Sequence, residues 1–260
     1  MANITYLSPA IQVNMDNAYF EMASLDHFWI RRRLETLQSL WGGPAKDIRL
    51  GDVGCGNGVV LQQFLDAYGV AGDGFDLNEV ALKRAVYVRG RVFFYNIHDR
   101  LADFRGLYDV IILFDVIEHI EDDKAFLESV LAHLRPNGTI LLNVPAHQAL
   151  FSKYDSAQGH QRRYDISQLR QLSEATGLRI EAWTYWGFMY LPILWLRKKI
   201  LDRSTLTPSE ILSRGFSPGS SLVNSLLYTL GRMEICPNSL AGTSLMAVLR
   251  PQPKASSAAT

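Results

Sequence analysis

The chain has 260 residues, 48% of them hydrophobic, and its 26 basic and 26 acidic side chains leave a formal net charge of zero. That length suits one large α/β domain with a well-buried core, and the charge balance argues against a nucleic acid or another polyanion as partner. Two cysteines, Cys55 and Cys236, can build neither a disulfide framework nor a four-ligand zinc site; the start MANITYLSPA lacks a basic, apolar leader and no apolar run approaches the ~20 residues of a spanning helix, so a soluble, cytoplasmic protein is expected.

Residues 17–41 place Phe28, Trp29, Leu34, Leu37 and Leu40 at helical spacing before the breaker Gly42-Gly43-Pro44, which predicts a helical prelude within residues 1–42. Strand-like and helix-like segments then alternate. Strands are expected at Ile48–Val53, Val70–Phe75, Arg91–Tyr95, Asp109–Phe114 and Thr139–Val144, with helices at Val59–Tyr68, Glu79–Val88 and Asp123–Leu134, the last closed by RPNG. The strands are nearly all apolar, as strands buried on both faces are, and the alternation predicts a doubly wound, mostly parallel sheet. Residues 145–165 read as a polar loop. A helix follows, capped by Asp165 and ended by Gly177, and then a strand, LRIEAWTYW. Residues 187–240 carry two helical patches, Phe188–Leu201 and Leu222–Ile235, before a closing strand, TSLMAVLR. The whole reads as one domain over residues 1–250 with seven strands, a helical lid at 1–42, a helical insertion at 187–240 and a disordered tail at 251–260.

The run GDVGCGNG, residues 51–58, joins the first of these strands to its helix. Glycines at 54, 56 and 58 let a ligand approach the backbone amides at a helix start. A dinucleotide loop needs glycine at position 59, where Val59 stands, and no Lys-Ser/Thr pair marks a P-loop. Asp52 would repel a pyrophosphate but suits a ligand bearing an ammonium group. Asp76 ends the next strand 18 residues after Gly58, where a carboxylate can accept both ribose hydroxyls; Asp73, before Gly74, reads as a turn former. Adenosine, a positive charge and no phosphate together describe S-adenosylmethionine.

With these motifs, with YDVIILFDVIEHIEDD and with LRPNGTILLNVPA, most of the chain resembles the class I S-adenosylmethionine-dependent methyltransferases of small molecules. It is similar to bacterial methyltransferases of types 11 and 12 and to the ubiquinone-pathway O-methyltransferases. The resemblance implies a Rossmann-like methyltransferase fold with S-adenosylmethionine as cofactor. It implies that Gly54 and Gly56 border the methionine part, that Asp76 holds the ribose and that Asn96 and Ile97 edge the adenine, with Asp52, Cys55 and Leu77 also in contact with the cofactor. Phe114 and His119 complete that set. Where Asn96 stands the family usually has aspartate.

Methyl transfer needs an acceptor held in line with the S–CH₃ bond and, for a hydroxyl, a base. Asp115, Glu118 and His119 follow the fourth strand at its C-terminal end. Their D-x-x-E-H spacing is similar to the E-x-x-E-H of the ubiquinone-pathway enzymes, associated there with a divalent cation; aspartate shortens the first arm, Glu118 and Asp122 also suit a helix start, and no metal is expected. The loop KYDSAQGHQRRYD gathers Tyr154, Asp155, His160, Arg162, Arg163 and Tyr164, with His160 as the candidate base beside Asp155 and His119. A His and Arg pair fixing the loop onto Asp155 is the structural alternative; His98 and His147 are lone candidates. Tyr19, His27 and Trp29 are lid candidates against ordinary core packing. The basic, apolar run GFMYLPILWLRKKIL suits a cap over a partly hydrophobic acceptor, with contact to a membrane surface as the lesser reading. The expected reaction is methylation of a small-molecule hydroxyl. A non-catalytic S-adenosylmethionine-binding subunit and an NAD-linked oxidoreductase are the alternatives, and the oligomeric state is left open.

Overall fold

A computed structural model describes residues 3–9, 24–45, 47–85, 89–215 and 218–253. The first half runs β1 Ile4–Tyr6, α1 Phe28–Trp41, β2 Leu50–Val53, α2 Val59–Tyr68, β3 Gly72–Asp76, α3 Glu79–Lys83, β4 Val92–Phe94 and β5 Tyr108–Phe114. The second half runs α4 Asp123–His133, β6 Leu134–Pro145, α5 Lys153–Ala157, α6 Ile166–Ala175, β7 Leu178–Trp186, α7 Leu191–Asp202, α8 Pro208–Gly215, α9 Ser221–Arg232 and β8 Ser244–Pro251.

The strands form one sheet in the order β1-β4-β3-β2-β5-β6-β8-β7, parallel throughout except for β8, which is antiparallel to both its neighbours. The doubly wound architecture is as expected, with eight strands instead of seven. The extra strand, β1, pairs Ile4, Thr5 and Tyr6 with Val92, Phe93 and Phe94 at the sheet edge, so residues 1–42 are not helical throughout. Two other segments depart from the sequence reading. RPNG is absorbed into an irregular start of β6, where pairing with β5 jumps from Tyr108/Leu134 to Val110/Thr139. The helix expected to reach Val88 ends at Lys83, with Arg84 as its C-cap. Residues 10–23, with Tyr19, and the tail from 254 on lie outside the described residues.

Each face of the sheet carries its own core. On β5, Ile111 and Leu113 pack with Phe126, Leu127 and Val130 of α4, while Val110, Ile112 and Phe114 pack with Ile30 and Leu37 of α1 and Val60 and Phe64 of α2. Alternate residues therefore bury against opposite helical layers, each large side chain contributing about 1.5–3 kcal/mol. A smaller cluster joins α5, α7 and α8 through Tyr154, Leu201, Ile211 and Leu212. The strand order reverses between β2 and β5, and at such a switch point the loops leaving the two strand ends open a crevice.

Candidate active site

Two loops meet at that crevice. The turn after β2 has positive φ at Gly54 (78°), Gly56 (54°) and Gly58 (77°), which only glycine adopts without strain. Gly54 has a second reason: a Cβ there would stand 2.5 Å from Val116 Cγ2 in the turn after β5. The Gly54 and Cys55 amides are held by the Phe75 carbonyl, at 2.8 and 3.1 Å, while Cys55 itself is buried against Gly74, a packing role.

Asp76 closes β3 beside the turn. One carboxylate oxygen accepts the Gly56 amide at 2.8 Å and the other the Asn78 amide at 2.7 Å, which leaves the carboxylate acceptor capacity for a hydroxyl. Burial pushes its carboxyl above the ordinary range, and the bonds from the Asn78, Gly56 and Leu77 amides oppose the shift. Asp52 is buried with Oδ2 lacking any hydrogen-bond partner. Burial raises it to about 7, eased by the Arg33 guanidinium and reinforced by Asp76. A buried carboxylate oxygen without a donor is costly, and the α-ammonium of S-adenosylmethionine is a donor of the right sign. The residues therefore fit that cofactor, with an ammonium partner and a diol acceptor; the amides of Gly54, Cys55, Gly56 and Gly58, expected to face a ligand, are instead bonded within the protein. Leu77 and Phe114 line the same core, and Ile97 is buried. Asn96 accepts the His98 amide at 3.1 Å as the cap of a short 3₁₀ turn.

The sequence reading missed a polar chain across the sheet ends. Arg33 of α1 donates to Asp115 Oδ2 at 2.6 Å, Asn143 Nδ2 donates to Asp115 Oδ1 at 2.7 Å, and Trp186 Nε1 donates to Asn143 Oδ1 at 2.8 Å. Asp115 carries this at a φ of +57°. Residues 33, 115, 143 and 186 are too far apart in sequence for spacing to link them. Trp29 packs at a tilt against Trp186 at 4.3 Å and Tyr190 at 5.9 Å, and His27 caps α1, its Nδ1 accepting the Trp29 amide; both make packing contacts.

The loop expected over residues 145–165 contains α5 and then returns along β6, with Ala146 bridging Tyr164. The Gln161 amide donates to the Glu118 carbonyl at 2.7 Å, which brings His160 against His119, ring centroids 4.7 Å apart and nearly perpendicular. Arg162 and Tyr164 both reach Asp123 at the start of α4, each at 2.8 Å. Asp155 collects His160 Nδ1 at 3.1 Å and Arg163 Nε at 2.8 Å. Burial alone would raise Asp155, but His160 and Arg163 hold it down to about 2. Asp155 also completes the cap of α5 by accepting from Ser152. The structural alternative is thus present, with the loop fixed onto Asp155, and the same bond orients the His160 imidazole.

Glu118 is not at a helix start. It lies in a 3₁₀ turn, Ile117–His119, fully buried, with neither carboxylate oxygen hydrogen-bonded; Asp122 is the residue that caps α4, accepting the Ala125 amide. Burial holds the Glu118 carboxyl well above its ordinary range, helped by Asp115. His119 is pushed down to about 3 by burial and by His160, opposed by its bond to the Gly159 carbonyl, and its Nδ1 is without a partner. Donor atoms of Glu118, His119 and His160 lie within 4.8 Å of one another, a group that could hold a metal ion; spacing alone did not foretell it because His160 comes from another loop. Asp115, the first arm of D-x-x-E-H, is bound instead to Arg33 and Asn143. His98 is tied to Ser129 at 3.0 Å, and His147 stacks on Tyr185 at 4.6 Å.

Comparison with known proteins agrees with this geometry. Residues 24–182 match the family described as "Methyltransferase domain". A protein of Mycolicibacterium smegmatis named "Probable S-adenosylmethionine-dependent methyltransferase" is 30% identical over 60% of this chain and 61% of its own. A "Ubiquinone biosynthesis O-methyltransferase" of Rickettsia typhi is 26% identical over 50% of this chain and 54% of its own. The chain thus spans about half to three fifths of these relatives' length. In fold it is similar to an S-adenosylmethionine-dependent methyltransferase of Archaeoglobus fulgidus, with a TM-score of 0.52 at 17% identity, covering 85% of this chain and 94% of that one. The chain belongs to the methyltransferase-domain family.

Proposed function

We propose that this enzyme methylates a hydroxyl group of a small, partly hydrophobic molecule. The observation that carries the reading is the Asp155–His160 pair. Asp155 is ionised across the physiological range, so a neutral His160 presents its Nδ1 proton to it and keeps the lone pair on Nε2. That nitrogen is the proton acceptor a hydroxyl nucleophile requires. Asp52 and Asp76 hold the two ends of the cofactor, which supplies the electrophilic methyl group. Arg33 pins Asp115 and keeps the turn after β5 in place beside the glycine turn. The relatives named as ubiquinone biosynthesis O-methyltransferases support oxygen as the acceptor atom.

The test is incubation of the enzyme with methyl-labelled S-adenosylmethionine and extracts fractionated by polarity, with mass analysis of the product. His160→Gln should bind S-adenosylhomocysteine within about twofold of wild type and lose about 10²–10⁴ in kcat. An unchanged kcat would remove His160 from the chemistry; label on nitrogen or carbon would remove the hydroxyl.

One observation favours a second reading of the same cluster. The orphaned oxygens of Glu118, with His119 Nδ1 and His160, offer three ligands to a divalent cation, and Asp155 would orient His160 from behind. Such an ion would polarise the acceptor oxygen in place of a base. Loss of turnover on chelation, restored by a divalent ion, would favour it.

A further inference from the structure

We infer that the insertion between β7 and β8 is a docking surface for anionic lipid. Of the fourteen large apolar side chains exposed among the described residues, eleven lie between Phe188 and Leu240. Single exposed apolar groups need no explanation, but a concentrated set does. They fall at helical spacing. On α7, Ile193, Leu196 and Ile200 form one stripe, each about half exposed, with Trp195 alongside. On α9, Leu222 and Leu226, with Met233 at its C-terminal cap, form another, exposed by 79%, 67% and 68%. Both helices pack on the same short turn, Phe188–Tyr190. Trp195 and Phe188, expected to cap an acceptor, are themselves 52% and 45% exposed, so the apolar side of α7 is turned outward.

Charge identifies the occupant. Residues 187–240 hold six basic side chains against three acidic ones, in a chain that is neutral overall. Two of the acids are engaged internally: Asp202 pairs with Lys198, and Glu234 accepts from Arg32 and from the Gly187 and Phe188 amides. Exposed Lys199 lies over the Trp195 ring at 3.5 Å, and Arg203 and Arg232 are exposed at the ends of α7 and α9. Apolar stripes with an aromatic ring and basic groups beside them suit the boundary between lipid headgroups and chains. A second copy is a poorer occupant, because a two-fold interface would bring two net basic faces together. No helix among the described residues is long and apolar enough to cross a membrane, so the contact is peripheral.

The test is co-sedimentation of the full chain with phosphatidylcholine vesicles, pure or with about a third phosphatidylglycerol. Binding is expected to the anionic vesicles and to weaken as salt rises. The double variant Leu196→Ser/Ile200→Ser should lose at least about tenfold in vesicle affinity, while melting temperature and S-adenosylhomocysteine binding stay at wild-type values because both side chains face solvent. Lys199→Glu/Arg203→Glu should lose the preference for anionic vesicles. No vesicle binding by wild type, or vesicle binding by both double variants equal to that of wild type, overturns the inference. Self-association in light scattering that the serine variant abolishes also overturns it and assigns the face to a second copy. None of these outcomes depends on which molecule is methylated.

Discussion

Replacing Asp52 by asparagine should remove both the pH dependence and much of the strength of cofactor binding. Burial lifts the Asp52 carboxyl from its usual 3.8 to about 7. The folded chain thus holds a proton that the unfolded chain releases near pH 4, and this group lowers stability as pH rises from about 4 to about 7, by about 4 kcal/mol in all. A ligand ammonium selects the ionised form. At pH 8 that form dominates and at pH 6 it is about a tenth of the population, so affinity should fall about tenfold between the two. Calorimetry with S-adenosylhomocysteine, which carries the same ammonium group, measures this directly at pH 6, 7 and 8. Near pH 6 binding should release close to one proton, visible as a dependence of the heat on buffer. Asp52→Asn should bind about ten- to a hundredfold more weakly at pH 8, show no release, and melt higher than wild type at pH 8. A wild-type affinity that is flat from pH 6 to 8, or a variant that titrates like wild type, refutes the assignment of Asp52 to the ammonium.

Two further substitutions probe the neighbouring turns. Glu118→Gln mimics the protonated acid that burial favours, so its melting temperature should rise relative to wild type as pH increases from 5 to 8, because the raised carboxyl penalises the folded state progressively above its ordinary value; a variant that instead melts lower and no longer binds Mn²⁺ by calorimetry would establish the cation reading. Gly54→Ala should cost about 1–3 kcal/mol in urea unfolding, from a Cβ at a φ of 78° and 2.5 Å from Val116 Cγ2; adding Val116→Ala should recover only the part due to the clash, and an unchanged midpoint would show that the turn yields.

Periodicity and spacing made most of the sheet legible, because strands buried on both faces leave apolar runs between breakers, and Val59–Tyr68 and Leu178–Trp186 were expected to the residue. What escaped notice is instructive. β1 is three residues on an edge, too short for any pattern. α8 did carry a signal, Thr207-Pro208-x-Glu210, with Glu210 Oε2 accepting from the Thr207 amide and hydroxyl: a capping box with proline at the first helical position. α5 carried one too, in Ser152 and Asp155. Around the candidate site, the Gly54 turn was legible because its φ of 78° demands glycine, and the placement of Asp52 and Asp76 followed from the strand ends on either side of it. The Arg33–Asp115–Asn143–Trp186 chain and the meeting of Glu118 with His160 depend on sheet order, which no local spacing encodes.

The place of β8 bears on how the molecule is made. Its neighbours β6 and β7 are not paired with each other in the sheet, and among the described strands β7 has β8 as its sole partner. Until Ser244–Pro251 arrives, β6 offers an apolar open edge to the surroundings and β7 has nothing to join. The strand that closes this gap follows a helical insertion covering residues 187–243, so its contacts with β6 span about a hundred residues of chain, a topology that folds late. A chain cut short before Ser244 is therefore a sticky, half-built sheet and not a smaller enzyme, and its natural fate is aggregation or proteolysis.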